Sequence, residues 1–209
     1  MSLPLMPMSN PISTAPVAAY SDYYFGRPAT LTNLGADNPN RVVVLAASSG
    51  GLGTNTISIG GVSQTVWHPQ AGGAVLSSGT SYTQFAIARV PTGTSVSASI
   101  ANGTVCMWYT IIGLNDLVPR SGTQDASGTP SGGVVIMEEG SAIIANLYAS
   151  NDNNSFTWTS PMIRTVNDTS LGPSRGASSA YRQNTPAGAY TLTCAMGSGT
   201  MYMGAIVLR

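Results

Sequence analysis

The sequence predicts an all-β fold: an antiparallel two-sheet β-sandwich of jelly-roll type, preceded by an extended N-terminal arm. Three observations carry this. Short runs alternate between apolar and polar residues with a period of two, and Gly, Pro and Asn punctuate them at close spacing. No stretch shows the three-to-four-residue apolar spacing of an amphipathic helix.

The arm covers residues 1–19, rich in Pro, Ser and Met and without periodicity. Its Leu3, Leu5, Met6 and Met8 are exposed unless something covers them: a disordered tail is one reading, and an arm that orders against a neighbouring subunit, where unbranched Met adapts to irregular surfaces, is the other and makes these four candidate assembly contacts. Residues 20–209 read as one sandwich domain, a size that a single all-β domain reaches. Within it, Val96, Ala98 and Ile100 alternate with Ser, and Phe156 and Trp158 are framed by Ser155, Thr157 and Thr159. Tyr190, Leu192, Cys194 and Met196 share one face of their run. Such strands keep one face in a core and one wet. Gly60-Gly61 between Thr56–Ile59 and Val62–Val66 marks a tight hairpin, because glycine supplies the positive φ of the primed turns.

Three runs are apolar on both faces: 41–47, 105–112 and 201–208. They predict central strands, or strands whose outer face meets another subunit. About a dozen strands in all fit two packed antiparallel sheets. Residues 117–132 and 168–187 are irregular and read as long contact-making loops. No sequence repeat of fixed period is present, which argues against a propeller or a β-helix.

Charge narrows the function. Charged residues make up only 8% of the chain, against roughly 25% in ordinary soluble proteins. All eight basic residues are Arg, and eight acids balance them. With no basic excess to neutralise phosphates, the chain predicts no nucleic-acid partner. Neutrality also removes long-range repulsion between copies and so favours association. No run approaches the roughly 18 apolar residues of a membrane helix, so no membrane partner is predicted. The opening residues lack the basic region of a secretory leader.

Chemistry is sparse. A Ser-His-acid triad would have to use the single histidine, His68, and no nucleophile elbow accompanies it. Glu138 and Glu139 are adjacent and would point to opposite faces of a strand. The predicted chain is therefore non-enzymatic, without catalytic residues, cofactor or metal. Asn151-Asp152-Asn153-Asn154 reads as an Asn-rich turn rather than a calcium loop. Cys106 and Cys194 both lie in strand-like runs; buried free thiols are one reading, and a disulfide between neighbouring strands is the other. Trp67, Trp108 and Trp158, with Tyr20, Tyr23 and Tyr24, are the pieces from which a glycan platform would be built. Arg164, Arg175 and Arg182 fall in or beside the second irregular stretch, as scattered solvated cations or as partners for acids on another copy.

Four phrases, in order, carry a resemblance: Asn40-Arg41-Val42-Val43-Val44-Leu45-Ala46, Ser58-Ile59-Gly60-Gly61-Val62, Ala88-Arg89-Val90-Pro91-Thr92-Gly93-Thr94, and Met107-Trp108-Tyr109-Thr110-Ile111-Ile112-Gly113-Leu114. Over about residues 20–209 the chain resembles poorly characterised β-sandwich proteins encoded among the virion structural genes of tailed bacteriophages. The resemblance implies a virion component, assembled in the host cytoplasm, and transfers no catalytic residue. The neutral composition and the arm narrow the expectation to a capsid decoration, cement or minor capsid protein. Its partners would be copies of itself and other virion proteins such as the major capsid protein. The alternatives are a head-spike, tail or fibre component that binds host glycan, or a secreted carbohydrate-binding module.

Overall fold

The computed structural model describes residues 15–52, 55–127, 134–150, 156–158, 162–168, 175–196 and 199–209. Leu3, Leu5, Met6, Met8 and the Asn151–Asn154 run lie outside these residues. Every described element is a strand, and every strand pairing is antiparallel.

The first large sheet has the order β1 (Val17–Phe25), β10 (Val105–Ile112), β3 (Arg41–Leu52), β8 (Ser81–Arg89), β6 (Val66–Pro69), β7 (Val75–Leu76). A smaller sheet lies on its outer face: β2 (Thr30–Leu31), β9 (Val96–Ile100), β4 (Ile57–Ile59), β5 (Val62–Ser63). The second large sheet runs β11 (Ser121–Ser127), β19 (Thr200–Leu208), β13 (Ser141–Ser150), β16 (Arg175–Thr185), β15 (Ile163–Asp168). Two small pairs cover it: β12 (Val134–Met137) with β17 (Gly188–Thr191), and β14 (Thr157–Trp158) with β18 (Cys194–Ala195).

These orders repeat. Setting aside β5 and β7, the N-terminal half places its first strand beside its eighth, then the third, sixth and fifth, and covers them with the second, seventh and fourth. The C-terminal half does the same, with β17 and β18 as two pieces of the seventh position. The large sheets of the two halves pack face to face with reciprocal contacts, β1 against β16 and β11 against β8, while β3 meets β13 at the centre. Such reciprocity is that of an isologous interface, here within one chain.

The four layers explain the doubly apolar strands. On β3, Val42, Val44 and Ala46 enter the core shared by the halves, with Phe85, Tyr109 and Ile111 from one side and Ile144, Ile206 and Leu208 from the other. Val43, Leu45 and Ala47 face the outer sheet, among Leu31, Ile57, Ile59, Ile100 and Trp108. On β13, Ile143, Ala145, Leu147 and Ala149 face the second outer core with Phe156, Trp158, Leu192 and Cys194. Both faces of a large sheet are dry, so both faces of its strands are apolar.

The two-sheet expectation is therefore too simple: among the described residues five sheets stack in four layers. Both irregular stretches hold strands. Residues 121–127 form β11, and 175–185 form β16, an inner strand of the second large sheet. The small residues of Gly176-Ala177-Ser178-Ser179-Ala180 are all buried there, and they carry no apolar alternation that would mark a strand. Residues 17–19, expected in the arm, instead open β1, with Val17, Ala18 and Ala19 paired to Ile112, Ile111 and Thr110. The Gly60-Gly61 hairpin forms as its sequence dictates, with φ of 65° and 77°.

Candidate assembly surfaces

The residues nominated for chemistry are mostly committed to the fold. His68 is buried on β6, its Nδ1 3.2 Å from Ser81 Oγ, and burial lowers its pKa. Trp108 donates from its indole to Thr32 O at 2.8 Å, and Trp158 to Ser178 Oγ at 2.8 Å, which places both in cores. Glu138 pairs with Arg209. Cys106 and Cys194 are free and buried in different outer cores, so the disulfide alternative is not realised. Burial pushes both thiols up to about 12. Among the described residues no group of three or more His, Cys, Asp or Glu is placed to hold a metal ion.

The arginines also have places. Arg164 donates to Phe156 O at 2.7 Å, Arg175 lies 5.7 Å from the Phe25 ring centroid, and Arg182 lies 4.5 Å from that of Tyr190. Arg41 was not singled out by its sequence, where it opens an apolar run. It is 1% exposed, and its guanidinium donates to the carbonyls of Leu34, Gly35, Ala36, Val90 and Gly93. This cation thereby fastens two loops to the end of β3, with main-chain dipoles satisfying its charge.

A polar seam crosses the shared core. Ser48 Oγ lies 2.7 Å from Thr83 Oγ1 and accepts from Asn146 Nδ2 at 2.9 Å. Farther along, the Tyr109 hydroxyl exchanges hydrogen bonds with Ser179 Oγ and with Thr165 Oγ1, the latter at 2.8 Å. Burial holds this phenol well above its ordinary range. Gly204 stands beside the seam because a Cβ there would sit 2.5 Å from Thr83 Cβ. At one margin main-chain amides stitch the halves: Gly122 N donates to Gly73 O at 3.1 Å, and Tyr82 N to the side-chain Oε1 of Gln124 at 3.0 Å.

Three surface features remain. The first is the corner where β1 begins. Ala15 packs over Gly140, and Ala18 N donates to Gln183 Oε1 at 2.7 Å. Asn115, Asn184, Pro186 and Arg209 complete a cleft of about 450 Å³ around Ala15 and Pro16. Val17 and Ile112, cross-strand partners beside it, are both exposed.

The second is an apolar groove of about 430 Å³ along β8, lined by Ile59, Val62, Val90, Pro91, Val96 and Leu117 among others. β6 accompanies β8 at Trp67–Phe85 and Val66–Ala86, and beyond that pairing Ala88 and Arg89 have a strand neighbour on the β3 side alone. Val62, at 63% exposure, stands on its rim.

The third is an aromatic end of the inter-sheet space, where Tyr202 lies 5.2 Å from Tyr82 and 6.1 Å from Tyr148 between ring centroids. Tyr20, Tyr23 and Phe25 of β1 pack into the same cluster.

The chain matches no family model, no curated protein and no solved structure.

Proposed function

We propose that the chain is a non-enzymatic structural protein of a virion, a capsid decoration, cement or minor capsid component that stabilises the particle by contacts between subunits. The supporting observation is the repeated strand order. First strand beside last, with the chain passing back and forth between a large and a small sheet, is the wrap of a jelly roll, a fold that recurs in viral capsids, lectins and cupins. On this reading the chain is two jelly rolls joined back to back. Neutral charge, an uncovered groove and apolar residues in the arm suit a protein whose work is association. Interfaces of that kind bury about 1,200–2,000 Å² in total.

The test is the mass of the purified protein in solution by light scattering, with and without residues 1–14, together with co-sedimentation on capsids. Oligomers or capsid binding that depend on those residues support the proposal. Monomers of both forms that ignore capsids end it.

The aromatic end favours a second reading, a lectin-like component that binds host glycan. Half-buried Tyr82 and Tyr202 offer sugar-stacking faces. Glycan-array binding abolished by Tyr202→Ala would carry that reading over the first.

A further inference from the structure

We infer that Tyr82 and Tyr202 form an oxidative cross-linking site, where a peroxide-driven one-electron oxidant joins the two rings carbon to carbon and staples the halves together. The link forms within one chain and goes beyond the assembly reading above.

The fold, not the sequence, brings the pair together. Tyr82 lies at the start of β8 in the N-terminal half, and Tyr202 lies near the start of β19 in the C-terminal half. Their ring centroids are 5.2 Å apart, with the planes tilted by 43°. At that separation two aromatic side chains touch. Both are held in place before any reaction. The Tyr82 amide donates to Gln124 Oε1, and the Tyr202 backbone is flanked by Ala126 on one side and Tyr148 on the other. The Tyr148 ring stacks on that of Tyr202 at 6.1 Å with an angle of 15°.

Exposure selects this pair from the other tyrosine contacts. Tyr109 lies 5.6 Å from Tyr20 and 5.9 Å from Tyr181, but it is fully buried and its hydroxyl is engaged by Ser179 and Thr165. Tyr148 is buried as well. Among the described residues, Tyr82 with Tyr202 is the one close pair in which both rings are half-buried. An oxidant can therefore draw an electron from either ring.

The step balances. Each phenol gives one electron to the oxidant and its hydroxyl proton to water. The two phenoxyl radicals then pair their electrons in a bond between ring carbons ortho to the oxygens. The hydrogens on those carbons pass to the oxygens, which restores both rings as a biphenol. One peroxide accepts the two electrons and two protons and becomes two waters. Radicals already in contact couple within the chain far faster than they meet a radical on another copy. The new bond closes a loop that holds β9 to β18 entire, and it constrains the unfolded chain as a long-range disulfide would.

The experiment treats the full chain, dilute, with hydrogen peroxide and a peroxidase, and maps its proteolytic peptides by mass. The expected product is a single chain whose Tyr82 and Tyr202 peptides are joined with the loss of two hydrogen atoms. Its biphenol fluorescence should not depend on protein concentration, and its melting temperature should rise by about 10 °C. Tyr82→Phe and Tyr202→Phe should each abolish the link, whereas Tyr24→Phe, at an exposed ring, should leave its yield unchanged. Both Phe variants keep the ring, so the untreated proteins should melt with the parent, and stacking on a sugar would survive. Biphenol found only between chains, or an intrachain link that persists in Tyr82→Phe, overturns the proposal. So does treatment that leaves Tyr82 and Tyr202 unjoined, whatever becomes of Tyr24.

Discussion

Asn146 and Ser48 meet across the boundary between the two halves, the amide Nδ2 donating to the hydroxyl at 2.9 Å, with both residues fully buried. The bond is one of few polar links inside an otherwise apolar interface, and Ser48 also holds Thr83.

Ser48→Ala should therefore cost about 1–3 kcal/mol, the penalty for leaving buried polar partners unmatched. Adding Asn146→Leu to it should cost less than the sum of the two single changes, since the second substitution removes an orphaned group. Urea unfolding of the parent, both single variants and the double variant checks this. Strict additivity would mean that the two side chains are not coupled.

Gly204→Ala should destabilise by roughly 1–3 kcal/mol, because the added methyl would be forced against Thr83 Cβ between two packed sheets. The loss should appear in chemical denaturation as a lower midpoint with an unchanged slope. Gly204 has no positive φ, so close approach alone makes the demand.

Arg41→Lys should cost about 2 kcal/mol or more. An ammonium cannot span the fan of carbonyls that the guanidinium reaches, and hydrogen bonds to charged donors are among the stronger ones. Hydrogen exchange should rise most in residues 33–40 and 91–94, the loops that these bonds secure. A uniform rise across the chain would argue instead for a general loss of stability.

The raised thiols set a pH dependence. Cys106 and Cys194 titrate near 12 when folded and near 8.5 in an unfolded chain, so the native state favours the protonated form. Their contribution to stability is complete below about pH 8.5 and is lost as pH rises toward 12. A disulfide reagent at pH 8 should label neither thiol in the native protein and both in guanidinium. Rapid labelling without denaturant would contradict the burial.

His68 works in the opposite direction. Burial depresses its folded pKa, so its share of stability is present above about 6.5 and falls as pH drops through the lowered value. His68→Gln should flatten the acid limb of a stability-versus-pH curve between pH 7 and 5.

Much of the layering was legible in residue patterns, and its gaps have physical causes. Val42 to Ala47 announced a strand dry on both faces, and Gly60-Gly61 announced its hairpin, because burial and positive φ each demand particular residue types. β16 was hidden because it lies where sheets approach closely, and Ala177, Ser178 and Ser179 serve there by being small. Arg41 was hidden because its partners are carbonyls, which any sequence supplies. The repeated strand order left no repeat in the residues. Pairing order depends on which strands are neighbours, and β3 with Val43-Val44-Leu45 and β13 with Ala145-Asn146-Leu147 hold the same place in their sheets without likeness of sequence. The groove along β8 follows from where β6 departs, a property of the three-dimensional path rather than of Ala88-Arg89-Val90 themselves.

The doubled architecture also dictates how the chain emerges from a ribosome. Among the described residues β1 pairs with β10 alone, so the N-terminal half can close once residue 112 is free, before most of β11 to β19 has been made. Domains that appear first fold first during synthesis. Until Ile144, Ile206 and Leu208 arrive, this early half exposes Val42, Val44, Phe85 and Ile111 as a bare apolar plate. The interval between translating Ile112 and Leu208 is thus the period in which nascent chains are most open to pairing with one another, and holding factors or slow synthesis would act there.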